Sequence, residues 1–401
     1  MRGVRRNGRV RHAQRKRRLS EPPPRRRQVE DLAGFDAVVE AGALGEAVVQ
    51  GVDLSERSEE LLSAECAGAV FLGCRMHEGV VLHLTARGAV LFPDLSVDRP
   101  YHPTRGRLYS YDELMEGFDR KRPGSGRDTV DAQIYAAHRD QQVRHRTLDA
   151  LAERLHDHAV DDALRGLLAR HPTGRVVGVM GGHALRRGED LYADIARIGH
   201  RLTTAGRLVA TGGGPGAMEA ANLGAWMSAY PAGDLDRALA LLAPAPRYDT
   251  HAYLVAADDV RRRWPDGADS LAIPTWFYGH EPTNAFAPHI AKYFSNSLRE
   301  DGLLGIATGG VIYAPGSAGT VQEIFMDAAQ NHYATFGAIS PMVLFGERHW
   351  IEELPVADLL ARLGRDHPWR ELVAVHDDVA GAVDYLLAHP PRAPDGSRLG
   401  A

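Results

Sequence analysis

The chain has 401 residues, 44% of them hydrophobic, so it is long enough for two or three domains and is not wholly disordered. No apolar run reaches the roughly 18 residues of a membrane span, and no apolar segment of the secretory type follows the basic start. We therefore expect a cytoplasmic protein with no membrane partner, and two cysteines exclude a disulfide framework.

The first 28 residues form an Arg-rich segment without apolar periodicity. Residues 1–27 carry 12 Arg or Lys and one acid, whereas the rest of the chain holds 35 bases against 51 acids. Such a segment cannot bury enough surface to offset its ordering entropy, so residues 1–28 are predicted to be disordered. Basic tails also bind phosphate backbones, which leaves a nucleic-acid-associated protein as one alternative. The acidic body disfavours it, and we expect no nucleic-acid partner.

Two regions without a recognisable catalytic pattern come next. Residues 29–120 have short apolar stretches broken by Gly, Asp or Pro, which predicts a small domain of mixed or mostly β structure and unknown role. Residues 121–173 begin with a linker composition and continue, from Asp131 to about Ala169, with apolar residues at helical spacing. The histidines of this helical segment fall mostly on its polar face, so we predict no metal site.

Strands alternate with helices from residue 174 to residue 389. Short apolar runs predict strands at 175–180, 208–211, 252–256, 275–278, 310–314 and 341–345, and a closing helix at 379–387. Parallel neighbours need crossover connections, so this alternation predicts an α/β fold with a Rossmann-like, doubly wound parallel sheet. Ligands bind such sheets at the carboxyl ends of the strands. Residues 390–401 are predicted to be a disordered tail.

The first chemically informative turn is Gly212-Gly-Gly-Pro-Gly-Ala-Met218, which leads from a strand into a helix. Four glycines within five positions remove every Cβ from the turn, so a phosphate can reach free amides at the positive end of the helix dipole. Tight turns also require glycine for conformational reasons, so a purely structural role of these glycines is the alternative. The predicted phosphate-binding residues here and at the end of the first strand are Gly181, Gly182, Gly212, Gly213, Gly214, Gly216 and Met218.

The second such turn is Ala314-Pro-Gly-Ser-Ala-Gly-Thr-Val-Gln-Glu323, again between a strand and a helix. Backbone amides and two hydroxyls are offered to a phosphate by Gly316, Ser317, Gly319 and Thr320. Glu323 lies one turn into the helix, where it can face the same cleft. Thr320 and Glu323 also have the spacing of a capping box, in which the glutamate satisfies a backbone donor. Spacing alone leaves both roles for Glu323 open.

Together the two turns resemble the Lonely Guy (LOG) family of nucleotide phosphoribohydrolases, over roughly residues 174–389. The family pattern is GGGxxGxM followed by PGGxGTxxE, and the chain has GGGPGAM and PGSAGTVQE. The first motif is one residue shorter, and Ser317 replaces the middle glycine of the second. The family's Arg-Lys pair upstream of the second motif is not present as such. Arg299 lies at nearly the family distance, with Lys292 two helical turns before it.

The resemblance implies hydrolysis of the N-glycosidic bond of nucleoside 5′-monophosphates to free base and ribose 5-phosphate, in a homodimer with no cofactor. Glu323 would stabilise an oxocarbenium-like sugar or activate the attacking water, and Arg299 would pair with the phosphate or the leaving base. Adenine, guanine and cytokinin nucleotides are all open as substrates. A non-catalytic nucleotide sensor on the same fold is the first alternative, because the Arg-Lys pair is missing.

One more loop is a candidate for ligand contact. The segment from Tyr278 to Phe286 is both polar and aromatic, as a base-binding or lid loop would be, and His280 or Asn284 would contact the ligand. A solvated loop or a dimer contact explains the same composition.

Overall fold

The computed structural model describes residues 27–397 and divides the chain into two compact units, of which one ends at Pro93 and the other begins at Asp94. The tail prediction for residues 1–26 and 398–401 lies outside the described residues. Within residues 27–397, no helix is long and apolar enough to cross a membrane.

The first unit, residues 27–93, is a small α/β domain. Of the two predicted possibilities, mixed or mostly β structure, the structure has the mixed one. Its four strands are all parallel, in the order β1-β2-β3-β4, with a helix between each pair of successive strands. Arg27 and Gln28, predicted to be disordered, pair with Ala47 and Val48. The elements are β1 (Arg27–Val29), α1 (Leu32–Glu40), a 3₁₀ turn (Leu44–Glu46), β2 (Ala47–Gln50), α2 (Ser58–Ser63), β3 (Val70–Leu72), α3 (Glu78–Ala86) and β4 (Val90–Phe92).

The second unit, described over residues 94–397, is built on a parallel sheet with helices on both faces. Its strands are β5 (Val176–Met180), β6 (Leu208–Thr211), β7 (Leu271–Ala272), β8 (His289–Ile290), β9 (Val311–Tyr313), β10 (Met342–Phe345) and β11 (Val373–His376). Its helices are α4 (Tyr111–Leu114), α5 (Val130–Arg144), α6 (Thr147–Leu168), α7 (Asp190–Thr204), α8 (Ala217–Met227), α9 (Ala232–Leu242), α10 (His251–Arg263), α11 (Asn296–Ile306), α12 (Ala318–Tyr333), α13 (Val356–Leu363) and α14 (Val379–Ala388).

The order β11-β10-β9-β5-β6-β7-β8 confirms the predicted doubly wound sheet. Val177 and Val179 of β5 belong to the core cluster under α7 and α8, whereas Val176 and Met180 belong to the cluster under α11 and α12. The chain therefore leaves β5 and its neighbour β9 toward opposite faces of the sheet. This is the topological switch point at which such sheets bind ligands.

Helices α7 and α8 pack with their backbones in close contact. A Cβ at Gly199 would overlap the backbone carbonyl of Ala221, and a Cβ at Gly224 would overlap that of Ala196. Glycine at these two positions lets α8 pack closely against α7, and this packing fixes the direction of the α8 axis.

Two of the predicted strands are wrong. Residues 252–256 lie inside α10, where Tyr253, Ala256 and Val260 are buried at helical spacing, and a short apolar run does not distinguish a strand from a buried helix. Residues 275–278 contribute only an isolated bridge between Thr275 and Tyr293. The strands between β6 and β9 are instead the two-residue β7 and β8, too short to show a periodic pattern.

The helical segment and the domain limits also differ from the prediction. The segment from 131 to 169 is two helices, because His145 adopts a left-handed conformation (φ 50°) between α5 and α6. The second unit begins at Asp94 rather than at 121 or 174, since Tyr101, Tyr109 and Leu114 are buried in its core. Arg392, in the predicted C-terminal tail, forms a bridge with Ile339.

The α7–α8 contact leads to a stability prediction. Gly224→Ala is expected to lower the free energy of unfolding by about 3 kcal/mol, because the added methyl displaces the backbone of α7. Urea unfolding measures the change. Gly302→Ala is the matched control: it lies in the middle of α11, where a Cβ would meet no atom of the described chain within 4 Å outside the helix backbone, and is expected to stabilise by about 0.5–1 kcal/mol. Equal effects of the two substitutions would contradict the close contact.

Candidate functional site

A cleft of about 340 Å³ lies at the carboxyl ends of β5, β6 and β9, at the switch point. It brings together nine of the residues predicted from the sequence. The residues that line it are Gly181, Gly182, His183, Gly212, Met218, Pro274, Thr275, Tyr278, Gly279, Glu281, Arg299, Glu300, Ser317, Gly319, Thr320 and Glu323.

The chain segments that follow β5 and β9 touch through their backbones. The Gly182 amide donates a hydrogen bond of 3.0 Å to the Pro315 carbonyl. A Cβ at Gly181 would lie 2.8 Å from both the Ala217 and the Ala314 Cβ atoms. Glycine is therefore required here by packing, and this packing brings the first residues of α8 and α12, which lie on opposite faces, together at the carboxyl end of the sheet.

The first glycine turn shapes the start of α8. Gly213 and Gly216 have positive φ values of 75° and 73°, which glycine adopts without strain. Gly216 is the N-cap of α8 and has no side chain with which to cap it, and the Ala217 amide of the first turn donates to the Gly182 carbonyl at 3.2 Å. Gly212 and Met218 line the cleft, whereas Gly213, Gly214 and Gly216 form the turn behind it.

The second turn starts α12 in the same way. Ser317 is the N-cap, and among residues 27–397 no side chain accepts a hydrogen bond from the first turn. Gly319 opens onto the cleft, and a Cβ there would meet no described atom within 4 Å outside the local helix backbone. Gly316 lies behind the lining, where its carbonyl is 3.0 Å from His349 Nε2. Two helix N-termini without side-chain caps thus meet at one cleft, and their dipoles favour an anion between them.

Arg299 and Glu323 face each other across the cleft. Arg299 Nε donates to the Ile273 carbonyl at 2.9 Å, and Arg299 Nη1 lies 3.5 Å from Glu323 Oε1. Burial raises the pKa of the Glu323 carboxyl and the nearby Glu300 adds to the rise, while Arg299 opposes it. Because α12 begins at Ala318, Thr320 is inside the helix, and the structure excludes the capping box.

Two further carboxylates of the cleft were not predicted from the sequence. Glu300 Oε2 accepts a hydrogen bond of 2.8 Å from Gln322, and Glu300 Oε1 lies 3.4 Å from the Tyr278 hydroxyl. Glu281 approaches Gly214, where a Cβ would lie 2.8 Å from its Oε2. Their positions depend on tertiary packing; the one available signal for Glu300 is that it directly follows Arg299.

The other predicted residues lie elsewhere. His280 lines a different cavity and approaches Asp131 at 3.5 Å. Asn284 is buried and donates to Asn222 at 3.0 Å, a structural role. Lys292 is also buried, with Nζ 2.8 Å and 3.0 Å from the two carboxylate oxygens of Asp131. Within residues 27–397, no group of three or more His, Cys, Asp or Glu side chains is placed to hold a metal ion.

No family model and no curated protein matches the chain. The solved structures that it resembles include a molybdenum cofactor carrier protein from Chlamydomonas reinhardtii, with 19% identity, coverage of 53% of this chain and 98% of that chain, and a TM-score of 0.33. A molybdenum cofactor binding protein from the phototrophic bacterium Rippkaea orientalis has 14% identity, coverage of 53% and 95%, and a TM-score of 0.30.

These findings correct the family assignment. The similar structures are described as carriers or binding proteins of the molybdenum cofactor and not as nucleotide hydrolases. The assignment to the LOG family and the hydrolysis of nucleoside 5′-monophosphates are therefore wrong. Glycine turns of this kind specify backbone geometry for an anion, which proteins of different function use. That the chain is an enzyme, and that it is a homodimer, stay predictions.

The raised pKa of Glu323 leads to a second prediction. The folded protein holds this proton more tightly than the unfolded chain, so stability falls as the pH rises from the ordinary glutamate pKa through the raised pKa of Glu323. Glu323→Gln is expected to remove this loss and to be more stable than the natural chain at pH 8. Urea unfolding at pH 5 and pH 8 measures it, with the exposed Glu352→Gln as control. Lower stability of Glu323→Gln at pH 8 would assign the carboxylate a structural role.

Proposed function

We propose that the second unit binds a phosphorylated small molecule in the cleft at the carboxyl ends of β5, β6 and β9. The observation that carries this proposal is that two helix N-termini without side-chain caps, those of α8 and α12, meet there beside Arg299. Free amides, aligned dipoles and a guanidinium are the groups that bind a phosphate without a metal ion.

The glycines of the lining support close contact between a phosphate and the backbone. Gly182, Gly212 and Gly319 present no side chain, so phosphate oxygens can reach the amides of the turns. Ser317 and Thr320 add hydroxyl donors on the α12 side. We place the phosphate at this end of the cleft.

The carboxylates of the cleft indicate that the ligand is more than a phosphate. Glu281, Glu300 and Glu323 are acceptors, and a bare anion gains nothing from them. Hydroxyl or amino groups on the rest of the ligand would donate to these oxygens. The lining thus suits a phosphomonoester that also carries several hydrogen-bond donors.

The cleft offers a direct test of binding. Isothermal titration calorimetry with inorganic phosphate, ribose 5-phosphate, guanosine 5′-monophosphate and the molybdenum cofactor, the ligand for which the similar structures are named, is expected to show binding of at least one organic phosphate. Gly319→Ala adds a methyl at the mouth of α12 without a clash and is expected to weaken that binding about tenfold or more. Gly302→Ala is the matched control. Absence of binding to every organic phosphate would refute the proposal.

Arg299 gives a second, electrostatic test. Arg299→Gln is expected to lower the affinity for the bound phosphate ester roughly 10- to 100-fold, because a hydrogen bond to a charged group is lost. Exposed Arg362→Gln serves as control, since Arg362 pairs with Asp358 on α13, whose residues do not line the cleft. An unchanged affinity in Arg299→Gln would place the anion away from the guanidinium.

A further inference from the structure

The segment between β7 and β8, residues 273–288, forms one wall of the cleft and contains no helix or strand. Its residues in the cleft are Pro274, Thr275, Tyr278, Gly279 and Glu281. Glu281 reaches the first glycine turn, because a Cβ at Gly214 would lie 2.8 Å from its Oε2. We call residues 278–283 the wall loop. The position of Glu281, one of the three acidic residues of the cleft, therefore depends on what holds this loop.

Backbone hydrogen bonds do not hold the wall loop. Just before it, the Trp276 amide donates to the Tyr293 carbonyl at 3.0 Å. Across residues 27–397, no backbone–backbone hydrogen bond involves a residue of the wall loop. Because its backbone has no ladder or helix to fix it, the position of the loop depends on its side chains.

The carboxylate of Asp131, in the first turn of α5, is the point at which these side chains meet. Its Oδ2 accepts a hydrogen bond of 2.9 Å from the Thr283 hydroxyl, and His280 Nε2 lies 3.5 Å from the same oxygen. Its Oδ1 accepts a hydrogen bond of 2.8 Å from the indole of Trp276. Lys292 Nζ completes the set, at 2.8 Å and 3.0 Å from the two oxygens.

Asp131 is itself firmly placed. It is 1% exposed, and α5 is capped beside it, where the Ala132 amide donates to Thr129 Oγ1 at 3.2 Å. Lys292 neutralises the charge of the carboxylate, which offsets the desolvation free energy of burying it. Hydrogen bonds to an ionised carboxylate are stronger than those between neutral groups. Asp131 is therefore a rigid anchor for the side chains that contact it.

Alternate residues of the wall loop face two different spaces. Gly279 and Glu281 line the cleft. A second cavity, of about 550 Å³, is lined by His280, Pro282, Thr283 and the anchor Asp131. The anchor thus holds the loop from the side away from the cleft, while Glu281 is directed into the cleft.

From these contacts we infer that Asp131 is a positioning residue of the cleft. Through Thr283 and His280 it holds the wall loop, and with it the Glu281 carboxylate, against the first glycine turn. It thereby sets the preference of the cleft for ligands that carry hydrogen-bond donors. The inference rests on the proposed function, and it names what controls the selectivity of that site. Asp131 does not itself line the cleft.

Thr283→Val tests the anchor without leaving a buried charge unpaired. Asp131→Asn, in contrast, would leave Lys292 buried without its counter-ion, which is strongly destabilising. In Thr283→Val, chymotrypsin is expected to cleave the folded, ligand-free chain after the exposed Tyr278 about tenfold faster, because one hydrogen bond that closes the loop is lost. Gel electrophoresis of a time course measures the rate.

Binding to the full chain measures the effect on selectivity. The organic probe is ribose 5-phosphate or guanosine 5′-monophosphate, whichever binds more tightly, and its affinity for Thr283→Val is expected to fall about tenfold by calorimetry. The affinity for inorganic phosphate, measured by displacement of the organic probe, is expected to stay unchanged, because phosphate alone does not depend on Glu281. A general structural defect would weaken both ligands alike.

A double-mutant cycle identifies the group through which the anchor acts. Glu281→Gln is expected to weaken the organic probe, and Thr283→Val is expected to add no further loss in the Glu281→Gln background. Thr308→Val is the matched control, because its hydroxyl accepts a hydrogen bond of 3.0 Å from the Gly174 amide, which precedes β5 at the opposite end of the sheet. It is expected to change neither affinity nor the cleavage rate.

The outcomes separate this inference from the proposed function. Equal losses for organic and inorganic phosphate, additive losses in the double variant, or unchanged cleavage and affinity in Thr283→Val would each refute the positioning role of Asp131 while the phosphate site stands. If no organic phosphate binds to the natural chain, the proposed function fails, and the positioning role fails with it.

Discussion

The cleft depends on backbone contacts that leave no space for side chains. The segments after β5 and β9 approach so closely at Gly181 and Gly182 that a Cβ would meet Ala217, Ala314 or the Pro315 carbonyl. Gly199 and Gly224 allow the same closeness between α7 and α8. Because α8 is held at its start by the segment after β5 and farther along by α7, its N-terminus cannot turn away from the cleft. The packing that holds α8 in place therefore also directs the N-terminal end of its dipole toward the cleft.

The buried ion pairs of the second unit show what distinguishes the pair in the cleft. Arg187 and Glu219 are joined by two hydrogen bonds of 2.8 Å and 2.7 Å, and Lys292 and Asp131 by two of 2.8 Å and 3.0 Å. Arg299 and Glu323 share one contact of 3.5 Å. So long a contact offsets little of the desolvation free energy of burying two charges. Its polar atoms keep hydrogen-bonding capacity for a ligand, as expected of a site that gives up stability for binding.

The features that could be predicted from the sequence are those that depend on residues close together in the chain. Glycine runs at strand ends mark the cleft, and the strands β5, β6, β9 and β10 are apolar runs of ordinary length between helical patterns. What failed depends on distant partners: α10 looks like a strand until its buried face is known, and Glu300 joins the cleft only through packing. The functional assignment failed for another reason. Two glycine turns define how a backbone meets an anion, whereas the reaction or ligand depends on the surrounding side chains.

In the proposed function, those side chains are expected to give the cleft a selectivity that its glycine turns lack. Helix N-termini accept any phosphate, so they cannot separate one phosphorylated metabolite from another. Glu281, Glu300 and Glu323 place three acceptors beside one guanidinium, an arrangement that repels polyanions and rewards ligands with donors next to a single phosphate. A ligand without those donors would gain no hydrogen bond from the half-buried carboxylates and would bind more weakly. For the phosphorylated ligand proposed above, we therefore expect discrimination to rest on the acidic residues of the cleft and the glycine turns to supply a common anchoring contact.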